Sequence, residues 1–127
     1  MSNARKLADN LPTDGQLGNR NLIINGAMQV AQRSSSVAGV TSAGYYSIDR
    51  FKMDIGSAGT WTISQSTTAP DGFAYSFKLD CTTADASLAA GDYCLIQHRL
   101  EGQDLQRLQF GTSSAKKVTI SFWVRSN

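Results

Sequence analysis

The chain is short of charge, of metal-binding side chains and of the residues that build helices. Asp, Glu, Lys and Arg make up 17% of its 127 residues, against about 25% in an ordinary globular domain. Nine of the ten acids are Asp, and Glu101 is the sole glutamate. Ser, Thr, Ala and Gly take the place of charge, which suits short strands joined by small-residue turns better than a helix bundle. His98 is the only histidine and Cys81 and Cys94 the only cysteines. A zinc site normally wants four N or S ligands, and these three lack a close C-x-x-C pair. They are expected as a strand histidine and two small thiols, with no metal and no cofactor. Spacing alone leaves a Cys81–Cys94 bridge in adjacent strands conceivable; with no leader expected, both thiols are expected to be free.

Other absences narrow the function. No apolar run approaches the roughly 18–20 residues of a membrane helix, and the basic start, Met1 to Lys6, has no apolar stretch behind it that would make a secretory signal. Twelve Lys and Arg against ten Asp and Glu leave a net charge of +2, too small a surplus to steer the chain onto nucleic acid or anionic lipid. There is no G-x-G-x-x-G, P-loop, G-x-S-x-G or H-E-x-x-H. His98 with Glu101 and Asp104 forms a polar cluster on paper but lacks a nucleophile or a second, paired carboxylate. An enzyme is not expected.

What is present falls into two parts. Residues 1–20 read as an N-terminal arm. Leu7 and Leu11 stand at i and i+4 beside Ala4 and Ala8, enough for a turn or two of helix that Pro12 and Asp14-Gly15 end. So short a helix is marginal alone in water, so Leu7 and Leu11, with Arg5 and Lys6, are candidates for docking onto another surface. The alternative is a frayed terminus. Fully extended, twenty residues reach about 65 Å, enough to cross to a neighbouring subunit.

From Asn21 the period changes to two. Strands are expected on both sides of Asn25-Gly26, at 21–24 and 27–32, followed by a loop over 34–44. Residues 48–55 alternate, with Phe51, Met53 and Ile55 on one face and Arg50, Lys52 and Asp54 on the other. Gly56-Ser57-Ala58-Gly59 leads into 60–66, whose Trp61 and Ile63 carry on the apolar face, so the two runs read as a hairpin. Pro70-Asp71-Gly72 marks another turn, before a strand containing Phe73, Tyr75, Phe77 and Leu79. A strand at 93–100, a short helix or 3₁₀ turn at 101–108 with Leu105 and Leu108 inward, and a strand at 118–125 complete the chain. Six or so strands predict an all-β sandwich over 21–127. The last strand would be an unpaired apolar edge: either the β domain is incomplete, which is the expectation, or another chain supplies the missing strand.

Two segments together resemble a known family. Asn21-Leu22-Ile23-Ile24-Asn25-Gly26 is similar to the opening of galactose-binding-like jelly-roll modules, and Ser121-Phe122-Trp123-Val124-Arg125-Ser126 to a strand found further along in them. With Gln29-Val30-Ala31-Gln32-Arg33 and Ile48-Asp49-Arg50-Phe51, the chain resembles tail-fibre and related structural proteins of bacterial viruses, especially marine podoviruses. The resemblance implies a jelly roll behind an arm that docks a fibre to the virion tail. Gln29 stands where the family commonly has a glutamate near a calcium site, so calcium is not carried over.

Two functions compete. As the N-terminal part of a tail fibre, the chain would be a virion structural protein, trimeric, with other tail proteins as partners. As a carbohydrate-binding module, it would meet host surface glycan through Trp123, which alternation puts beside Ser121 and Arg125 on the face opposite Val118, Ile120, Phe122 and Val124. A Trp ring flanked by donors suits a sugar, although the arm or another subunit covering that face is the simpler arrangement. Tyr45 and Tyr46, after a Gly-rich loop, are contact candidates or staples for the loop. The fibre is the expectation, since an N-terminal position favours anchoring.

Overall fold

The computed structural model describes residues 21–126; the expected arm and its docking candidates Arg5, Lys6, Leu7 and Leu11 lie outside the described residues. Five strands appear among them: β1 Ser36–Val40, β2 Phe51–Gly56, β3 Thr60–Ser66, β4 Ser76–Thr83 and β5 Tyr93–His98. They form two antiparallel sheets, one ordered β1-β3-β4 and the other β2-β5. The fold is all-β, with a short helix at Gly102–Leu105 and a 3₁₀ turn at Gln106–Leu108. No helix among the described residues is long and apolar enough to cross a membrane.

The core lies where the two sheets face each other. Val40 from β1, Met53 and Ile55 from β2 and Ile63 from β3 form one buried cluster, with Val37, Trp61, Phe77, Leu79 and Cys94 packed against it. The period-two pattern dictates this, because alternate side chains of a strand leave on opposite faces. Phe51, Met53 and Ile55 are buried, whereas Lys52 and Asp54 on the other face are half-buried and joined by an ion pair at 3.0 Å.

The expected hairpin between 48–55 and 60–66 is not formed. β2 pairs with β5, in register from Phe51↔His98 to Gly56↔Tyr93, while β3 lies between β1 and β4 in the opposite sheet. A connection crossing the core and a hairpin turn leave the same local trace, two alternating runs around a small-residue link. Ser57 at φ 51° and Gly59 at φ 83° turn the chain across, and the Trp61 indole N–H donates to the Ala58 carbonyl at 2.8 Å, bracing the crossing. The hairpin comes one strand later. β3 and β4 pair from Ser66↔Ser76 to Thr60↔Thr83, across a connection in which Gly72 takes φ 86° and the Phe73 N–H bonds to the Pro70 carbonyl. Phe73 and Tyr75 therefore belong to the connection.

Three further expectations are corrected. The segments at 21–24 and 27–32 form a turn and irregular chain, because Asn25 (φ 60°) and Met28 (φ 56°) are left-handed. The Asn25 amide then clamps two later stretches of chain: Nδ2 donates to the carbonyls of Val30 and Asp49, and Oδ1 accepts the Val30 N–H. The loop at 34–44 contains a strand, β1, whose extra residue forms a bulge between Val37 and Val40 with Gly39 at φ 72°. Finally, 118–125 is not a strand. The Lys116 N–H bonds to the Leu108 carbonyl, and beyond it residues 117–126 join no ladder and are exposed.

Candidate functional site

At the end of the molecule where β2 begins and β5 ends, a cleft of about 280 Å³ is lined by Arg33, Tyr45, Arg50, Arg99, Leu100 and Glu101. A second hollow, bordered by Gln32, Arg33, Asp49 and Arg50, shares two of these arginines. Three guanidiniums thus converge on a surface whose lining holds one carboxylate.

Each side chain is set in place by the local fold. Ile48 is fully buried, and the Phe51 N–H bonds to its carbonyl at 3.3 Å, closing a tight turn. Arg50, third in that turn, has φ 73°, a conformation in which glycine usually stands. A left-handed non-glycine residue costs of order 1–3 kcal/mol. In exchange, Arg50 and Asp49 face different partners. Asp49 accepts from Arg33 Nη1 at 3.1 Å and from the Gln32 N–H at 3.3 Å, whereas Arg50 Nη1 reaches Glu101 Oε1 at 3.2 Å. Asp49 and Arg50 are neighbours along the chain, but the turn sends their side chains to separate partners. The Arg33 guanidinium lies 5.6 Å above the ring centre of Tyr45, within cation–π range. Arg99, just past β5, donates to Gln97 Oε1 at 3.5 Å and has no carboxylate partner among the described residues.

The anticipated site residues separate. Tyr45, 40% exposed, belongs to the cleft. Tyr46 does not: its hydroxyl donates to the Ser42 carbonyl at 2.8 Å and its ring packs against the core, the staple arrangement. Ser121, Trp123 and Arg125 lie on the unladdered segment, with Trp123 79% exposed. None of the three lines the cleft to which Tyr45 belongs. The cluster of His98 with Glu101 and Asp104 does not form. His98 Nε2 is 3.0 Å from the Ile24 carbonyl, its ring meets Phe51 edge-on at 4.9 Å, and Nδ1 is buried with no protein partner. Cys81 and Cys94 are both free and stand in different sheets. Burial, followed by the neighbouring Cys81 thiol, raises the Cys94 pKa above the ordinary thiol value. Among the described residues no three His, Cys, Asp or Glu side chains gather as a metal site.

Sequence reasoning missed the arginines of the cleft. Arg33, Arg50 and Arg99 are far apart along the chain, and only the β2–β5 pairing, which sets Phe51 opposite His98, brings Arg50 and Arg99 to the same end of one sheet. No sequence signal marked them: Arg50 reads as the outer face of an alternating strand, and its tight turn appears only in the fold.

Compared with protein-family models, curated proteins and solved structures, the chain shows no match.

Proposed function

We propose that this chain is a structural module of a bacterial-virus tail fibre, a jelly-roll-type β domain that assembles with copies of itself as a trimer and with other virion tail proteins. The observation that carries the reading is the segment 118–124. Val118, Ile120, Phe122, Trp123 and Val124 are between 50% and 82% exposed, in a strand-like pattern without a ladder. β4 and β5 each end a sheet, and Leu95 and Ile96 of β5 are about half exposed. An exposed apolar segment outside any ladder, beside sheets with open edges, suits burial against a partner chain, because contiguous exposed apolar surface marks interaction sites. The order and spacing of the motifs that resemble tail fibres supply the virion context, with residues 1–20 as the tail-docking arm.

Light scattering after gel filtration tests the assembly. The full chain is expected to run as a trimer, and Ile120→Lys with Phe122→Lys to reduce it to a folded monomer. A monomeric parent chain would sink the reading. The exposure of Trp123, with Ser121 and Arg125 beside it, favours a second reading as a carbohydrate-binding module for host surface glycan. There, Trp123→Ala would abolish signal on a glycan array and leave the oligomer intact.

A further inference from the structure

We propose that the cleft formed by Arg33, Tyr45, Arg50 and Arg99 binds an acidic sugar, a saccharide unit carrying a carboxylate or a phosphate. The site is separate from the 118–124 segment and does not depend on the assembly reading, since a monomer carries it complete.

Charge comes first. Arg33, Arg50 and Arg99 face Glu101 within the lining and Asp49 behind it. The two ion pairs each engage a single guanidinium nitrogen, Nη1 in both cases. A guanidinium has five N–H donors in a planar fork, so Asp49 and Glu101 orient their arginines and leave donors for a ligand. Arg99 lacks a carboxylate, and its one hydrogen bond, to Gln97, is long. It is the guanidinium most available for a fork-on-fork pair with a carboxylate or phosphate.

The rest of the lining narrows the ligand. Tyr45 and Leu100 add aromatic and apolar surface beside the cationic centre, which a bare inorganic anion would not use and the C–H face of a sugar ring would. Gln32 and Asp49 in the adjoining hollow offer an amide and a carboxylate to hydroxyl groups. A volume near 280 Å³ lies just below the usual ligand range of about 300–1,000 Å³, suiting one sugar unit rather than a nucleotide. Nucleic acid is disfavoured by the small net charge of +2 and by the single aromatic in the cleft. The strained backbone at Arg50 agrees with this use, because it sets a guanidinium where a relaxed turn would have glycine.

Calorimetric titration of the full chain with glucuronic acid, N-acetylneuraminic acid, glucose phosphate, neutral glucose, acetate and inorganic phosphate tests the proposal. At least one acidic sugar is expected to bind about ten-fold or more tightly than glucose and than its matching simple anion, with affinity falling as salt is raised. Arg99→Ala is expected to weaken that binding about ten-fold, the worth of one charge-assisted contact, and Tyr45→Ala to bring the acidic sugar down to the level of its simple anion. Arg99 is exposed and outside the core, and an unchanged thermal midpoint for Arg99→Ala separates lost binding from lost folding. Acidic sugars no tighter than glucose would overturn the proposal. So would binding of inorganic phosphate or acetate as tight as that of the sugars, or a full-strength Arg99→Ala variant.

Discussion

Arg50 holds a backbone conformation that glycine would adopt without strain, and its side chain is tied to Glu101 by one exposed ion pair. Such a pair contributes about 0–1 kcal/mol, no more than the left-handed backbone costs. Arg50→Gly is therefore expected to raise stability slightly, by up to about 1 kcal/mol, read as a higher denaturation midpoint. A lower midpoint would show that the side chain, not the backbone, dominates at this position. The two thiols offer a second residue-scale test. Cys81 is exposed, whereas burial and then the Cys81 thiol raise the pKa of Cys94. Near pH 8, alkylation of the folded chain is expected to label Cys81 well before Cys94, because the thiolate is the reacting form. The stability consequence has a definite sign. A thiol whose folded pKa is raised contributes fully below the unfolded thiol pKa of about 8.5, and the contribution is lost as pH rises through the higher folded value. Equal labelling rates at both cysteines would contradict this placement.

At the scale of elements, the link between β2 and β3 decides the architecture. Gly59 has φ 83°, and a methyl added there would run into the carbonyl oxygen of Thr83. Gly59→Ala is expected to cost about 2–4 kcal/mol, combining left-handed strain with a clash against backbone, measurable by urea denaturation. A loss below about 0.5 kcal/mol would mean the crossing relaxes freely. The same link shows what was legible in the sequence. Alternation at Phe51, Met53 and Ile55, and at Trp61 and Ile63, placed both strands and their buried faces, because burial acts on each strand separately. It did not reveal which strand pairs with which, since a run facing the core from above and one facing it from below have the same period. The form of the turn after Asn21 was hidden for a related reason. Asn25-Gly26 reads as a turn between two strands, and what composition does not show is that Met28 is left-handed as well and that the Asn25 amide bonds to Val30 and Asp49 instead of leaving 21–24 and 27–32 to pair. Tyr45 was singled out as an exposed aromatic after a loop; the arginines around it were not, because their meeting depends on the unread pairing.

At the largest scale, seven hydrophobic side chains are buried among the described residues. Covering the apolar 118–124 segment, as the proposed assembly would, adds to that burial. The arginine cleft, by contrast, is complete within one copy. Assembly and ligand binding are thus expected to fail independently under substitution.

The pairing of β2 with β5 also bears on how the chain is made. The nearest partners in that ladder, Gly56 and Tyr93, are 37 positions apart (93 minus 56). At a translation rate of about 5–20 residues per second, β2 waits about two to seven seconds for its partner to be synthesised. β3 lies between, and it finds β4 through a local hairpin, which closes at little entropic cost. During that interval Phe51, Met53 and Ile55 lack the strand that completes their sheet. That apolar face is therefore expected to stay uncovered on the nascent chain until β5 has been made.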